Sequence, residues 1–485
     1  MAKDRTKYSS MLGSRYGKEM SPIFSDKYKF EAWRRCWIAL AEAECELGLA
    51  GVRPEQVAQL KEYAHEVNYD VADAREREKR HDVMAHVYAF GQQCPDAAGI
   101  IHAGATSCDI TDNAELMQMH DALALVRRKL VGTINLFGNF AMQYKDLACL
   151  GFTHYQPAQP TTLGKRAAWW GQNFVDDYKE VKALERDKKL RGLKGATGTQ
   201  ASFLELADGD EGKVKELNRI FLEKLGYVGE EGRTRDFTIT GQTYPRKYDS
   251  KVLAVLAGIG ESAHKFGTDG RLLQNRKEFE EPFEKEQVGS SAMAYKRNPM
   301  RLERMCSLSR GLFTKALDAR MTSAVQWMER TLDDSAGRRD YVAQAFLATD
   351  EVLNLAMNVM ERPAVFPKMI EKGLALELPF MVTENIMMTA VKRGADRQEV
   401  HEAIRQHSQK AATRIKEEGK ENELLQMLAA DPRIGMSSDE IQSAMDVRKL
   451  VGRAPAQVMD FYKNEVEPIL EAEKDCLDVK SDVRV

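Results

Sequence analysis

From Asn113 to Tyr144 the apolar residues Leu116, Met119, Leu123, Val126, Leu130, Phe137 and Phe140 follow in steps of three, four and seven. This is a heptad-like seam, with polar Thr133 at one inner position. Thr111, Asp112 or Asn113 can cap its start. Such a helix runs roughly 45–50 Å at about 1.5 Å per residue. A helix so long and so apolar on one side is not stable alone, because its stability comes mostly from packing that face. The seam therefore demands partner helices. The sequence predicts them over about Thr161–Leu190, Ser250–Gln274, Pro299–Arg320 and Asp340–Val359. The Ser250–Gln274 segment sets Val252, Leu256, Ile259, Ala263, Phe266 and Leu273 on one face. Five such helices read as an elongated bundle. Their seams exceed what one subunit can cover, which points to an oligomer.

Ahead of the bundle, Tyr28–Gly48 reads as another amphipathic helix, followed by shorter ones up to Gly99. Behind it, Pro363 and Pro367 mark a break before a smaller helical region with loops near Asp431–Ser438. The expected fold is all-α in three helical domains: 1–112, a central long-helix bundle over 113–365, and 366–485. Strand signals are weak, and Phe237–Thr240 is the best short candidate.

Composition removes several function classes. A formal charge of −3 over 485 residues does not fit a dedicated nucleic-acid binder. Met1–Ser10 is polar, so no secretory signal is expected, and no apolar run reaches the roughly 18 residues that would indicate a membrane span. Seven cysteines are scattered with no CxxC pair, which suits reduced thiols in a cytoplasmic protein and no metal site.

The residues able to do chemistry gather in a few short segments. Gly289-Ser290-Ser291-Ala292-Met293-Ala294-Tyr295-Lys296-Arg297-Asn298-Pro299 offers hydroxyls, cations and an amide suited to a carboxylate, and also reads as a polar loop before a helix. Arg80-His81-Asp82-Val83-Met84-Ala85-His86 spaces its histidines wrongly for a shared helix face, so a metal pair is disfavoured. Gly151–Pro160 reads as a loop stiffened by two prolines, with His154 as a candidate general acid. Ala103–Asp109 sets Thr106 and Ser107 before a long helix, as an anion site or as ordinary caps. Lys194–Gln200 is a glycine-rich turn that lacks a phosphate-loop ending. Glu329–Arg339 holds three arginines and a serine, fit for a phosphate or for local Asp–Arg pairs. The GxGxxA run at 258–263 lies inside a helical pattern with no strand before it, so no dinucleotide site is expected.

Three of these runs occur together in a known order. GSSAMAYKRNP resembles the signature loop of the fumarase/aspartase superfamily, HAGATSCDITDN its first region and GFTHYQPAQPTT its second. Within that superfamily the chain is most similar to the adenylosuccinate lyase family, particularly its animal-type branch. SRYGKEM, KRHDVMAHVYAFG, KGATGTQASF, TGQTYPRKYD and QWMERTLDDSAGRR carry that likeness. One departure is Ala294, which stands where the signature has proline.

The resemblance implies a homotetramer whose central helices form a 20-helix core, with active sites shared between subunits. It implies β-elimination of fumarate from succinyl-AMP, giving AMP, and from SAICAR, giving AICAR, in purine nucleotide biosynthesis (AMP and IMP formation). No cofactor or metal is implied. By the same resemblance Ser290 is the base and His154 the general acid. Lys296 and Asn298 bind the succinyl carboxylates, and Glu303 orients His154. Arg80, His81 and Asp82 form a substrate-binding triplet, and Arg15 and Tyr16 contact the phosphate end. Thr106, Ser107 and Thr153 surround the fumaryl part, Gln242 supplies an amide contact, and Arg304, Arg330, Ser335 and Arg339 face the nucleotide. Argininosuccinate lyase, aspartase and fumarase share the signature loop but not the phosphate-binding arginine set. A non-catalytic scaffold would need neither the acid nor the base.

Overall fold

The computed structural model describes residues 10–229, 232–481 and 483. Five long helices dominate it: Ser107–Gln143, Leu163–Arg186, Lys247–Asn275, Met300–Ala324 and Asp333–Glu361. The seam predicted on the first is buried throughout, from Leu116 to Phe140. Thr133, its polar member, turns its hydroxyl back onto the Lys129 carbonyl at 2.8 Å and so leaves no unpaired donor inside. This helix begins six residues earlier than the apolar pattern suggested. Thr106 and Asp109 form a capping box, each side chain satisfying the other's free backbone N–H.

The helices alternate in direction. Contacts of Arg191 and Arg246 with Asp109 and Asp112 place the end of the second helix and the start of the third beside the start of the first. The fourth helix starts, and the fifth ends, at the opposite pole. The molecule thus has a 107 pole and a 143 pole, separated by 37 helical residues, or about 55 Å.

Two departures from the sequence reading concern strands. Phe237–Thr240 forms no strand; pairing settles on Asp236, which bridges Leu190, and the Asp236 carboxylate holds Lys194 at 2.7 Å. The segment expected to be a loop, Gly151–Pro160, belongs to an antiparallel hairpin, Ala148–Thr153 with Gln156–Thr162. Pro157 and Pro160 fit there because both strands of a two-stranded sheet are edges. Phe279–Glu280 and Ala364–Val365 make a second small pair.

One apolar core joins the N-terminal helices, the bundle and residues 458–476; a second, smaller one covers 378–441. The chain therefore returns to the bundle after its C-terminal excursion. There the Glu473 carboxylate accepts Tyr178 at 2.8 Å and Lys182 at 3.1 Å. By length and hydropathy alone Pro367–Lys392 would pass for a membrane span, which the sequence reading did not anticipate. It is two helices meeting at Val382, and Leu378, Val382, Ile386 and Ala390 are buried in the smaller core.

Candidate active site

At the 107 pole, the start of the first long helix is held by buried charge. Asp109 is fully buried and pairs with Arg191, while the backbone N–H groups of Lys194 and Gly195 donate to the same carboxylate oxygen at 2.8 and 3.1 Å. That ties the Thr106–Ser107 turn to the glycine-rich 194–200 segment. Gln242 bridges onward: its side-chain amide donates to Ala196 O at 3.0 Å and its backbone N–H to Glu329 O at 2.9 Å. Glu329 leads into the arginine segment. A side chain at Gly241 would stand 2.6 Å from Glu329 O, so glycine is required for that approach. Arg330 pairs with buried Asp334 at 2.9 Å, and Asp334 also accepts from Arg246 at 2.7 Å. Ser335 follows on the same turn. Thr106, Ser107, Gln242, Arg330 and Ser335 thus share one rigid pole.

The Arg80–Asp82 triplet joins them there. Arg80 ends the Tyr69–Lys79 helix in the left-handed conformation, with φ +56°, and His81 caps the next helix through Nδ1. Asp82 Oδ2 lies 3.5 Å from Arg339 Nη2, which links the triplet to the fifth long helix. One residue assigned no role in the sequence reading sits at this junction. His102 has φ +73° and accepts the Trp37 indole N–H on Nδ1 at 3.0 Å. Burial pushes its pKa down, with Asp109 opposing and His81 adding to the shift. Only its place at the head of HAGATS marked it in the sequence.

His154 and Thr153 occupy the other pole. His154 and Tyr155 are the two central residues of the hairpin turn, with φ +52° and +56°, as a type I′ turn requires. Both are exposed, and neither offers the glycine or asparagine usual there. Phe152 packs on Tyr155 at 5.5 Å, and Arg276 lies over Phe152 at 4.7 Å, so the hairpin rests on the end of the third helix. The turn leaves the imidazole at the surface of the chain. Strained positions of this kind concentrate at functional sites.

The signature loop lies at the same pole. Ser290 Oγ accepts the backbone N–H groups of Met293 at 3.1 Å and Ala292 at 3.4 Å. Two amides aimed at one hydroxyl oxygen favour negative charge on it. Asn298 donates to Gly289 O at 2.8 Å, and a side chain at Gly289 would stand 2.2 Å from Lys296 O. The loop base is therefore closed by Asn298, which still has one N–H and its carbonyl oxygen for a ligand. Below it, Glu281 accepts the Arg301 and Leu302 N–H groups at 3.0 Å, capping the fourth helix. Lys296, Asn298 and Glu303 line a cleft of about 470 Å³ together with Arg271. Glu303, expected to orient His154, faces that cleft. Among the described residues of one chain no hydrogen bond joins His154 to Glu303, Ser290 or Lys296.

Arg15, Tyr16 and Arg304 form a third group. Tyr16 is buried, with Arg304 over its ring at 4.9 Å and Arg15 at 5.8 Å. Glu351, almost wholly buried, faces Arg304 at 3.6 Å. The candidate residues thus fall into groups that one chain keeps apart. Thr106 and Ser107 stand about 55 Å of helix away from the hairpin that carries His154.

The family described as lyase fits residues 16–313, and the one described as adenylosuccinate lyase C-terminus fits residues 379–461. The chain is 49% identical over 471 residues to adenylosuccinate lyase of Saccharomyces cerevisiae and 46% over 470 residues to that of Schizosaccharomyces pombe, covering 96% of each partner in both cases. Its fold superposes on 3-carboxy-cis,cis-muconate lactonizing enzyme from Pseudomonas putida with a TM-score of 0.82, at 22% identity, covering 95% of this chain and 99% of that one. With near-complete coverage by relatives of one kind and a C-terminal region particular to them, the chain belongs to the adenylosuccinate lyase family.

Proposed function

We propose that the protein eliminates fumarate from succinyl-AMP and from SAICAR, leaving AMP and AICAR. The observation that carries this reading is Ser290 Oγ set against two backbone N–H groups within a loop that also presents Lys296. Serine is a poor base at its ordinary pKa and needs its alkoxide stabilised. The amides of 292 and 293 supply that, with the charge of Lys296 six residues along the same loop. The alkoxide takes a proton from the succinyl carbon next to a carboxylate. The electron pair then resides on an aci-carboxylate, which Lys296 and Asn298 hold. Cleavage of the carbon–nitrogen bond forms the fumarate double bond, and His154 gives its proton to the departing nitrogen. Arg15, Tyr16, Arg304, Arg330, Ser335 and Arg339 bind the nucleotide, with phosphate the natural partner of several guanidinium groups. Arg80, His81, Asp82, Thr106, Ser107, Thr153 and Gln242 complete the enclosure, and Glu303 orients His154.

The assembly we infer is a homotetramer in which each site draws on several subunits. Two features support it. The first-region hydroxyls and His154 lie too far apart in one chain to share a nucleotide. Leu317, Met321, Val325, Trp327 and Leu332, on and beyond the fourth helix, are exposed as an apolar face. Seven unpaired cysteines suit a cytoplasmic setting. A continuous ultraviolet assay with succinyl-AMP, with AMP and fumarate resolved by chromatography, tests the reaction. Stoichiometric release of both is expected; a folded tetramer without turnover would overturn the reading.

A further inference from the structure

Behind the Arg15–Tyr16–Arg304 group lies a buried charge array that the elimination chemistry does not use. Asp350 and Glu351 are neighbours on the fifth long helix and are 0% and 1% exposed. Each faces a different element. Asp350 pairs with Lys129, which comes from the first long helix and is itself fully buried. Lys129 also donates to Asn354 at 3.0 Å and reaches Glu19 at 2.8 Å. The backbone N–H of Met20 donates to Asp350 as well. Glu351 faces Arg304, on the fourth helix, at an ion-pair distance of 3.6 Å.

Glu19 and Met20 belong to the strap that carries Arg15 and Tyr16. That strap is pressed onto the fifth helix. A side chain at Gly17, where φ is +62°, would stand 2.9 Å from Leu347 Cδ2, and Gln344 Nε2 meets Ser10 Oγ at 3.3 Å. Strap, first helix and fourth helix therefore all take their position from two adjacent acids. Burying such ions costs several kcal/mol each unless they are paired, and apolar residues would serve mere packing better. Among the described residues Asp350 Oδ2 has no hydrogen-bond partner, so part of that cost is left uncompensated.

We propose that Asp350 and Glu351 are positioning residues that register the N-terminal strap against the fourth helix, so that Arg15, Tyr16 and Arg304 act as one anion-binding unit. This rests on the reading that these three hold the substrate phosphate. Glu351 acts directly on Arg304; Asp350 acts through Lys129, Glu19 and the Met20 amide. The charged groups facing Glu351 are Arg304, Asp350 and Lys129, with Glu19 beyond Lys129. Burial pushes the Glu351 carboxyl up to about 7, reinforced by Asp350 and opposed by Arg304 and Lys129. Its charge, and with it the hold on Arg304, therefore grows as pH rises through neutrality.

Steady-state kinetics of the full-length protein with succinyl-AMP between about pH 6 and 8 test this. Glu351→Gln should raise KM about tenfold with kcat within about twofold, since it weakens binding rather than chemistry. Wild-type KM should fall as pH rises through neutrality, over and above the substrate's own titration, and Glu351→Gln should lose that part. In an Arg304→Ala background, Glu351→Gln should add nothing further. If Glu351→Gln does not fold, Glu351→Asp should still raise KM, though less. A wild-type KM and pH profile in the Glu351 variants, or full additivity with Arg304→Ala, would overturn the proposal. An unchanged KM in Arg304→Ala alone would remove the phosphate role of Arg304, and the proposal with it. Absence of turnover in the wild type would instead strike the assignment of the reaction.

Discussion

Ser290 and His154 show how little a residue's type says about its chemistry and how much its backbone does. Ser290 is one of two adjacent serines; what separates it from Ser291 is that the amides of 292 and 293 turn back onto its oxygen. No composition or spacing argument reaches that, and only the signature resemblance picked it out in advance. His154 owes its projection to two consecutive left-handed residues. The loss of either group should lower kcat by about 10²–10⁴-fold, the usual worth of a placed acid or base. Stopped-assay kinetics of Ser290→Ala and His154→Ala, with circular dichroism to show an intact helical fold, check this. Near-wild-type turnover in either variant would remove that residue from its role. Ala294 touches no group that reacts; it is exposed in the loop, and nothing in the structure explains why it replaces the signature proline.

At the scale of elements, helices were legible and their ends were not. The buried face of Ser107–Gln143 is the seam read from period alone, because a 3.6-residue repeat over about ten turns leaves few alternatives. The apolar pattern alone set its start six residues late, and the structure bears out the alternative that the Thr106–Ser107 turn is an ordinary cap, with Thr106 at the N-cap position. The hairpin was missed because His154-Tyr155 is not a sequence that advertises a type I′ turn, and its prolines argue against strands. In both cases tertiary contact won over local preference. Asp109 is the clearest instance: it caps a helix and anchors Arg191 and the 194–195 amides. Asp109→Asn removes the charge that Arg191 needs while keeping size. A buried pair broken on one side typically costs about 3–5 kcal/mol. Chemical denaturation should show a loss on that scale. Turnover should fall more than unfolding explains, because Thr106 and Ser107 lose their frame.

The whole molecule carries two further consequences, one of charge and one of geometry. Glu44 is fully buried with neither carboxylate oxygen bonded, and burial pushes its pKa up to about 8. Asp177 is raised to about 7, by burial first, with Ser262 opposing. In both the folded state holds a proton that the unfolded chain releases at ordinary carboxyl pH. Stability should therefore fall as pH rises from about 4.5 toward 8. Glu44→Gln should raise the thermal midpoint at pH 8 by about 2 °C or more and shift it far less at pH 5, read by scanning fluorimetry. The geometric consequence concerns where the acid and base of one site come from: the hairpin of His154 and the loop of Ser290 share a pole, yet among the described residues of one chain no hydrogen bond joins the two side chains. If the base and the acid of one site come from different subunits, neither Ser290→Ala nor His154→Ala tetramers contain a complete site. Mixing them by dissociation and reassembly creates some. At equal proportions a site takes its Ser290 from a His154→Ala subunit half the time, and its His154 from a Ser290→Ala subunit half the time. The mixture should recover about one quarter of wild-type activity, and only after subunit exchange, as expected for sites built across subunits in a symmetric oligomer. Activity that stays at the level of the separate variants after verified exchange would mean that one chain supplies both groups. The hairpin and the signature loop would then have to bring His154 and Ser290 to one substrate within a subunit.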